Sequence, residues 1–255
     1  LYLRGIINHK SIKMKKTLLS LCFCLTTSLF SQVYVMHGVK VLPENQTLFE
    51  KIETQYVSKI AQDAVNKGNL GGWGLIKIDP YIGESGGYNY IFVNGFKDID
   101  HMNENSDWWA NSKEVLGIEP DVLYRNLVEE SGRYVYKQQM EIQGKSPAKH
   151  VAFYFGYANN IADYLKIEKQ WVPWHKKNMS VTGLVSWGVG TKFLPVNPSQ
   201  RTNVMTWNIF DKRSDIMKFI GGELKTSPFP KTNQNNVMPN GWENIVIGEI
   251  LSFVQ

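Results

Sequence analysis

Apolar and polar residues alternate with a period of two in eight stretches: 33–41, 71–78, 88–96, 133–142, 150–157, 185–190, 202–210 and 243–254. Such alternation predicts half-buried β-strands. A period of 3.6 runs instead through IETQYVSKIAQD (52–63) and again through IEKQWVPWHKKN (167–178), predicting two helices. These segments lie 115 positions apart and match at Ile52/Ile167, Glu53/Glu168, Gln55/Gln170, Tyr56/Trp171 and Val57/Val172. Gly68 and Gly183 each follow the matched glutamate by 15 residues, where a left-handed residue should end the helix. Asp-rich helix starts follow the third strand of each half, near 98–100 and 211–215.

The predicted order is therefore strand, helix, strand, strand, helix, strand, stated twice. The first copy spans 33–145 and the second 146–255, with a turn-rich boundary at IQGKSPAKH (142–150). That order is the split βαβ, ferredoxin-like unit. One such unit leaves a sheet face bare, and a second copy in the same chain supplies its cover. The expected fold class is α+β: two tandem ferredoxin-like βαββαβ repeats forming an intramolecular dimeric α+β barrel. On these matched segments the chain resembles the dimeric α+β barrel superfamily, which includes antibiotic-biosynthesis-type monooxygenases and chlorite-dismutase-like haem proteins. The resemblance implies a gap between sheet and helices that holds a small aromatic or other apolar molecule.

The amino-terminal region changes the charge picture. MKKTLLSLCFCLTTSLFSQ (14–32) has a basic start, a short apolar run and a small-residue exit, the pattern of a secretory signal peptide. Residues 1–13 then read as an upstream extension. The apolar run is too short for a stable membrane anchor, and TLLSLC lacks the small residue that a lipid-modified cysteine needs before it. The chain has 28 Lys+Arg and 23 Asp+Glu; loss of Arg4, Lys10, Lys13, Lys15 and Lys16 leaves 23 of each. An exported, near-neutral mature chain gives no electrostatic reason to bind nucleic acid. Cys22 and Cys24 leave with the leader, taking disulfides, thiol nucleophiles and thiolate metal sites with them.

Candidate chemistry sits on the paired helices. Phe49, Glu53, Tyr56, Ile60 and Ala64 form one face; Tyr164, Glu168, Trp171, His175 and Met179 are their counterparts. A carboxylate therefore stands within an apolar face in both halves, and a histidine replaces isoleucine in the second. Pro173 should kink the second helix. Glu168 and His175 are about 10 Å apart along the axis at roughly 1.5 Å per residue, so a ligand or water could lie between them. Both glutamates could instead pair with a strand-borne Lys or Arg, and His175 could be a satisfied core residue. Asn94 and Asn208 recur inside predicted strands, where asparagine is disfavoured, to bind a substrate or to tie backbone. Trp73 and Trp187 pack the core or wall a cavity, and Trp174 lies on another helix face, open to a contact surface shared with the 228–242 loop.

Motifs for a nucleophile elbow, a phosphate loop, dinucleotide binding or a zinc site are missing from the sequence. Three functions remain open. In the first, an exported small-molecule-binding barrel acts as a cofactor-free monooxygenase-like enzyme, with His175, Glu168 and Asn208 as catalytic candidates. Trp187, Trp171, Asn94, Trp73, Glu53 and Tyr56 would then line the ligand, without a metal. In the second, haem is bound through His175. The third is a non-catalytic secreted interaction module. The expected assembly is a monomer with an internal pseudo-dimer or a higher homo-oligomer.

Overall fold

The structure, a computed structural model, describes residues 33–80, 87–119, 122, 127–144, 148–196 and 201–255. The expected signal peptide at 14–32 and the expected extension at 1–13 lie outside the described residues, as do 145–147 of the expected half boundary. The chain runs β1 (Val33–Val41), α1 (Pro43–Ile52), a π-helical turn (Glu53–Val57), α2 (Ser58–Asn66), β2 (Gly72–Ile78) and β3 (Tyr90–Phe96). It continues through α3 (Ile99–Glu104), a 3-10 turn (Trp108–Asn111), α4 (Ser112–Leu116) and β4 (Val128–Ile142). Next come β5 (His150–Gly156), α5 (Ile161–Thr182), β6 (Leu184–Leu194), β7 (Val204–Phe210), α6 (Arg213–Ile220), α7 (Gln234–Val237) and β8 (Trp242–Val254).

The eight strands close into one antiparallel barrel in the order β1-β3-β2-β8-β5-β7-β6-β4. Around the ring the first four strands run β4-β1-β3-β2 and the last four β8-β5-β7-β6, joined by the β2–β8 and β4–β6 ladders. The mixed α+β architecture expected from the sequence is thus present, and closure leaves no strand edge unpaired. Side-chain alternation then divides each strand between two cores. On β7, Val204 and Phe210 pack outward beneath the helices of the second half, while Met205, Trp207 and Ile209 point into the lumen. A second outer core joins Phe49, Val57, Ile60, Trp73 and Tyr90 in the first half.

Capping fixes the long helix α5. The Asn160 side chain accepts from the Asp163 amide at its start, and Gly183 (φ +71°) ends it in the left-handed conformation. Pro173, expected to kink this helix, lies inside α5, which continues to Thr182. The irregular turn lies in the first half instead, at Glu53–Val57. There the Thr54 and Ser58 hydroxyls donate to the carbonyls of Glu50 and Thr54, each at 2.7 Å. The wider π turn advances the helix face, so Val57 and Ala61 point inward beside Ile60 and Ala64. Tyr56, expected on the ligand-facing side, is turned out by the same shift and is 37% exposed.

Candidate functional site

Four polar and aromatic side chains lie buried in the layer beneath α5. Glu168 and His175, two turns apart on one face, come from the helix, Trp187 from β6 and Asn208 from β7; all are buried. Trp187 and Asn208 are direct partners in the β6–β7 ladder. The His175 ring lies on Trp187 with centroids 4.7 Å apart and planes 32° apart, while Trp174 stands edge-on at 5.2 Å. Burial pulls the His175 imidazole down to about 4, so it is neutral at physiological pH. Its Nδ1 has no hydrogen-bond partner among the described residues, and neither has Asn208 Oδ1. The Asn208 side chain lies beside the Tyr154 hydroxyl, which burial nevertheless pushes up to about 12.

Burial raises the Glu168 carboxyl to about 8, against the opposing pull of the neighbouring Tyr164 hydroxyl. That hydroxyl forms no well-aligned hydrogen bond of its own, and burial, reinforced by Glu168, holds it well above the usual phenol range. At neutral pH the buried layer beneath α5 therefore contains an unprotonated imidazole on His175 and a carboxylic acid on Glu168.

The first half keeps the frame and changes the equipment. Trp73 and Asn94 are again ladder partners, and Glu53 again sits under the helix. Glu53 is 0% exposed, neither carboxylate oxygen has a hydrogen-bond partner among the described residues, and burial raises it to about 8. Pairing with a strand-borne lysine was one expectation for the two glutamates. Lys77 instead binds Glu50 at 2.6 Å, and the Tyr90 hydroxyl donates to the same oxygen at 2.6 Å. Asn94 is only half-buried, and its amide donates to the Val35 carbonyl at 3.5 Å, so it tacks one strand to the next.

One functional candidate escaped the sequence reading. His37 on β1 faces the same helix layer beside Phe92, at 5.8 Å. Its Nε2 is without a hydrogen-bond partner among the described residues, and burial, helped by Arg133, pulls it down to about 4. The available signal was a histidine on an alternate strand position that otherwise carries valines.

A strap covers the second-half site. The Trp174 indole donates to the Ser227 carbonyl at 3.0 Å, and Asn178 exchanges two hydrogen bonds with Ser227, at 2.8 and 2.9 Å. Phe229, 62% exposed, stacks on Trp171 and Trp174 with centroids 5.6 and 5.2 Å away. Trp174 was expected at an open contact surface; the strap buries it to 6% exposure. The residues around His175 do not fit a haem. A porphyrin must lie across the line from the imidazole nitrogen to iron, and Trp171, Trp174 and Trp187 crowd the ring at 5.9, 5.2 and 4.7 Å. Among the described residues no three His, Cys, Asp or Glu side chains gather as a metal site.

No protein-family model matches the chain, and neither does any curated protein. Solved structures do resemble it. A candidate monooxygenase from Fusobacterium nucleatum superposes with a TM-score of 0.56 at 8% identity, covering 88% of this chain and 94% of that one. A candidate monooxygenase from Lactobacillus acidophilus gives 0.51 at 9% identity, covering 88% and 96%. At such identities the likeness speaks for backbone architecture rather than chemistry. With its eight antiparallel strands closed and helices packed outside them, the chain shares a dimeric α+β barrel fold with these two structures.

Proposed function

We propose that this chain is an exported small-molecule-binding barrel, built from two tandem ferredoxin-like repeats, whose α5 half acts on an aromatic ligand bearing a hydroxyl group. The observation that carries the reading is the pair of unsatisfied buried atoms, His175 Nδ1 and Asn208 Oδ1, flanking the Trp187 indole. Buried polar atoms in folded proteins are nearly always paired, so two orphans beside one aromatic wall call for an outside partner. A phenol or quinol meets both needs. Its ring lies against the indole, one hydroxyl is received by Asn208, and neutral His175 accepts a hydrogen bond from another. The electron-rich ring so held is the species on which cofactor-free, monooxygenase-like oxygen chemistry would begin, with Glu168 positioned as a proton donor. Residues 14–32, read as a leader, support export.

A screen of tryptophan fluorescence against quinols and flavonoids, with oxygen uptake followed for every binder, tests the proposal. We expect saturable quenching that weakens by at least about tenfold in His175→Ala and Asn208→Ala, the loss of one charge-assisted or buried hydrogen bond each. Binding without oxygen uptake would leave a carrier or sensor of the same ligands. An empty screen, or undiminished affinity in both folded variants, would overturn the site.

A further inference from the structure

The lumen of the barrel is a separate space from the helix-covered layers, and it is filled unevenly. Eight strands leave an interior that side chains just fill or that holds one small ligand. Toward one end Trp207 fills it, packed edge-on against Tyr34 at 5.7 Å and over Gly188, where a Cβ would collide with the ring. At the other end the lumen opens as a cavity of about 460 Å³. That volume lies within the range of small-molecule sites, roughly 300–1,000 Å³. Its depth is apolar, with Met36, Ile78, Ile91 and Val246 all buried.

The two halves bring unlike residues to this end. Gly38 and Gly132 face each other across the β1–β4 ladder, where the matching pair on β5 and β8 is Phe155 and Asn244. The glycines put no side chain into the lumen, and Tyr88 leans into the space they leave. A Cβ on Gly38 would lie 2.5 Å from its ring, and one on Gly132 would strike its hydroxyl. Tyr88, Tyr134, Tyr136 and Phe155 thus wall the cavity with aromatic rings. Its polar groups are already engaged. The Tyr88 hydroxyl bonds to that of Tyr134, whose ring lies 5.7 Å beneath the Lys192 ammonium, and both Lys192 and Asn244 have partners of their own. Burial holds the Tyr136 hydroxyl well above the usual phenol range, so it stays neutral. Arg201, which also lines the cavity, is exposed to water.

We propose that this lumen cavity is a second binding site, for a neutral aromatic molecule. Its rings would make offset and edge-to-face contacts with the four aromatic side chains, and its inner end would pack against Met36, Ile91 and Val246. An aliphatic chain would use the floor and forgo the walls. A charged body is rejected, because the hydrogen-bonding groups at the mouth are committed elsewhere and a charge buried without a partner is costly. The site lies on the opposite sheet face from His175 and Asn208, so the two proposals stand or fall separately.

Phenylnaphthylamine and anilinonaphthalene sulfonate share one aromatic body, to which the second fixes a sulfonate that must enter with the rings. Both brighten in apolar surroundings, so fluorescence titration reads their binding. The neutral probe should bind at least about tenfold more tightly than the sulfonate. Val246→Trp, which fills the floor, should abolish its binding, and His175→Ala should leave it unchanged. Should Val246→Trp fail to fold, Ile91→Phe fills the same floor with a smaller change and should weaken binding severalfold. The proposal is overturned if the neutral probe does not bind the wild-type protein or if the sulfonate binds as tightly. Undiminished binding by a folded floor variant, or loss of binding in His175→Ala, overturns it as well.

Discussion

Glu53 and Glu168 occupy matching places in the two halves, and burial raises both carboxyls to about 8, yet the polar groups around them differ. Phe49 stands where the second half has Tyr164, Ile60 where it has His175, and His37 where β5 carries Tyr154. The shared part is the scaffold: a carboxyl under the helix and a Trp–Asn ladder pair on the sheet below it. The variable part is what could meet a ligand. The first half seals its carboxyl completely, whereas the second sets a phenol beside it and an imidazole two turns further along the same helix face. A buried acid at this position is therefore a property of the frame, and chemistry depends on what the helix brings beside it.

The largest effect that can sharpen this contrast comes from the sealed acid. A carboxyl raised in the folded state from 4.5 to about 8 binds a proton that the unfolded chain releases first. Its stabilising contribution is full below about pH 4.5 and is lost as pH rises toward 8. At 1.36 kcal/mol per pK unit the loss approaches ~5 kcal/mol. Glu53→Gln should accordingly leave stability unchanged near pH 4 and raise it by several kcal/mol above pH 8, measured by urea denaturation across that range. Glu168→Gln should gain a similar amount, because its carboxyl is raised to the same value despite the neighbouring Tyr164 hydroxyl. A Glu53→Gln profile that keeps the wild-type fall in stability between pH 4.5 and 8 would show that this acid is not held protonated by the fold.

His175 carries the opposite slope. Its folded pKa is depressed from 6.5 to about 4, so the unfolded chain takes up the proton first and stability falls as pH drops from 6.5 toward 4. His175→Phe keeps an aromatic ring against Trp187 and should flatten that acid limb, recovering up to ~3 kcal/mol at pH 4. A variant whose acid limb matches the wild type would show that the imidazole is not held neutral by the fold.

How far the sequence reveals these features depends on whether they are local. Helices at 52–63 and 167–178, the glycines that end them and the strand alternation all follow from one-dimensional periodicity, and the barrel closes as that pattern requires. The π turn at Glu53–Val57 has no periodic signature, so a regular wheel puts Tyr56 on the wrong side. Lys77 chooses Glu50 over Glu53 because strand and helix meet at an angle that spacing does not encode. Gly38 and Gly132 are 94 positions apart and become one feature only through ladder register. Trp174 is buried by a strap with no regular pattern, anchored at Ser227.

That strap carries the smallest of the expected effects and the most direct one on access. Phe229 is 62% exposed, so Phe229→Ala removes little buried area and should cost less than about 1 kcal/mol. Its ring nevertheless roofs Trp171 and Trp174, the two indoles that stand between solvent and His175. Removing it should increase local opening above His175 without loosening the first half, where His37 is a second, half-buried neutral imidazole. Diethyl pyrocarbonate modifies neutral imidazoles, and mass spectrometry resolves the two sites. We expect His175 to react about three- to tenfold faster in Phe229→Ala while His37 keeps its wild-type rate, the ratio reporting local opening alone. Parallel acceleration at both histidines would instead signal general loosening, and an unchanged His175 rate would show that entry to the α5 gap does not pass beneath the strap.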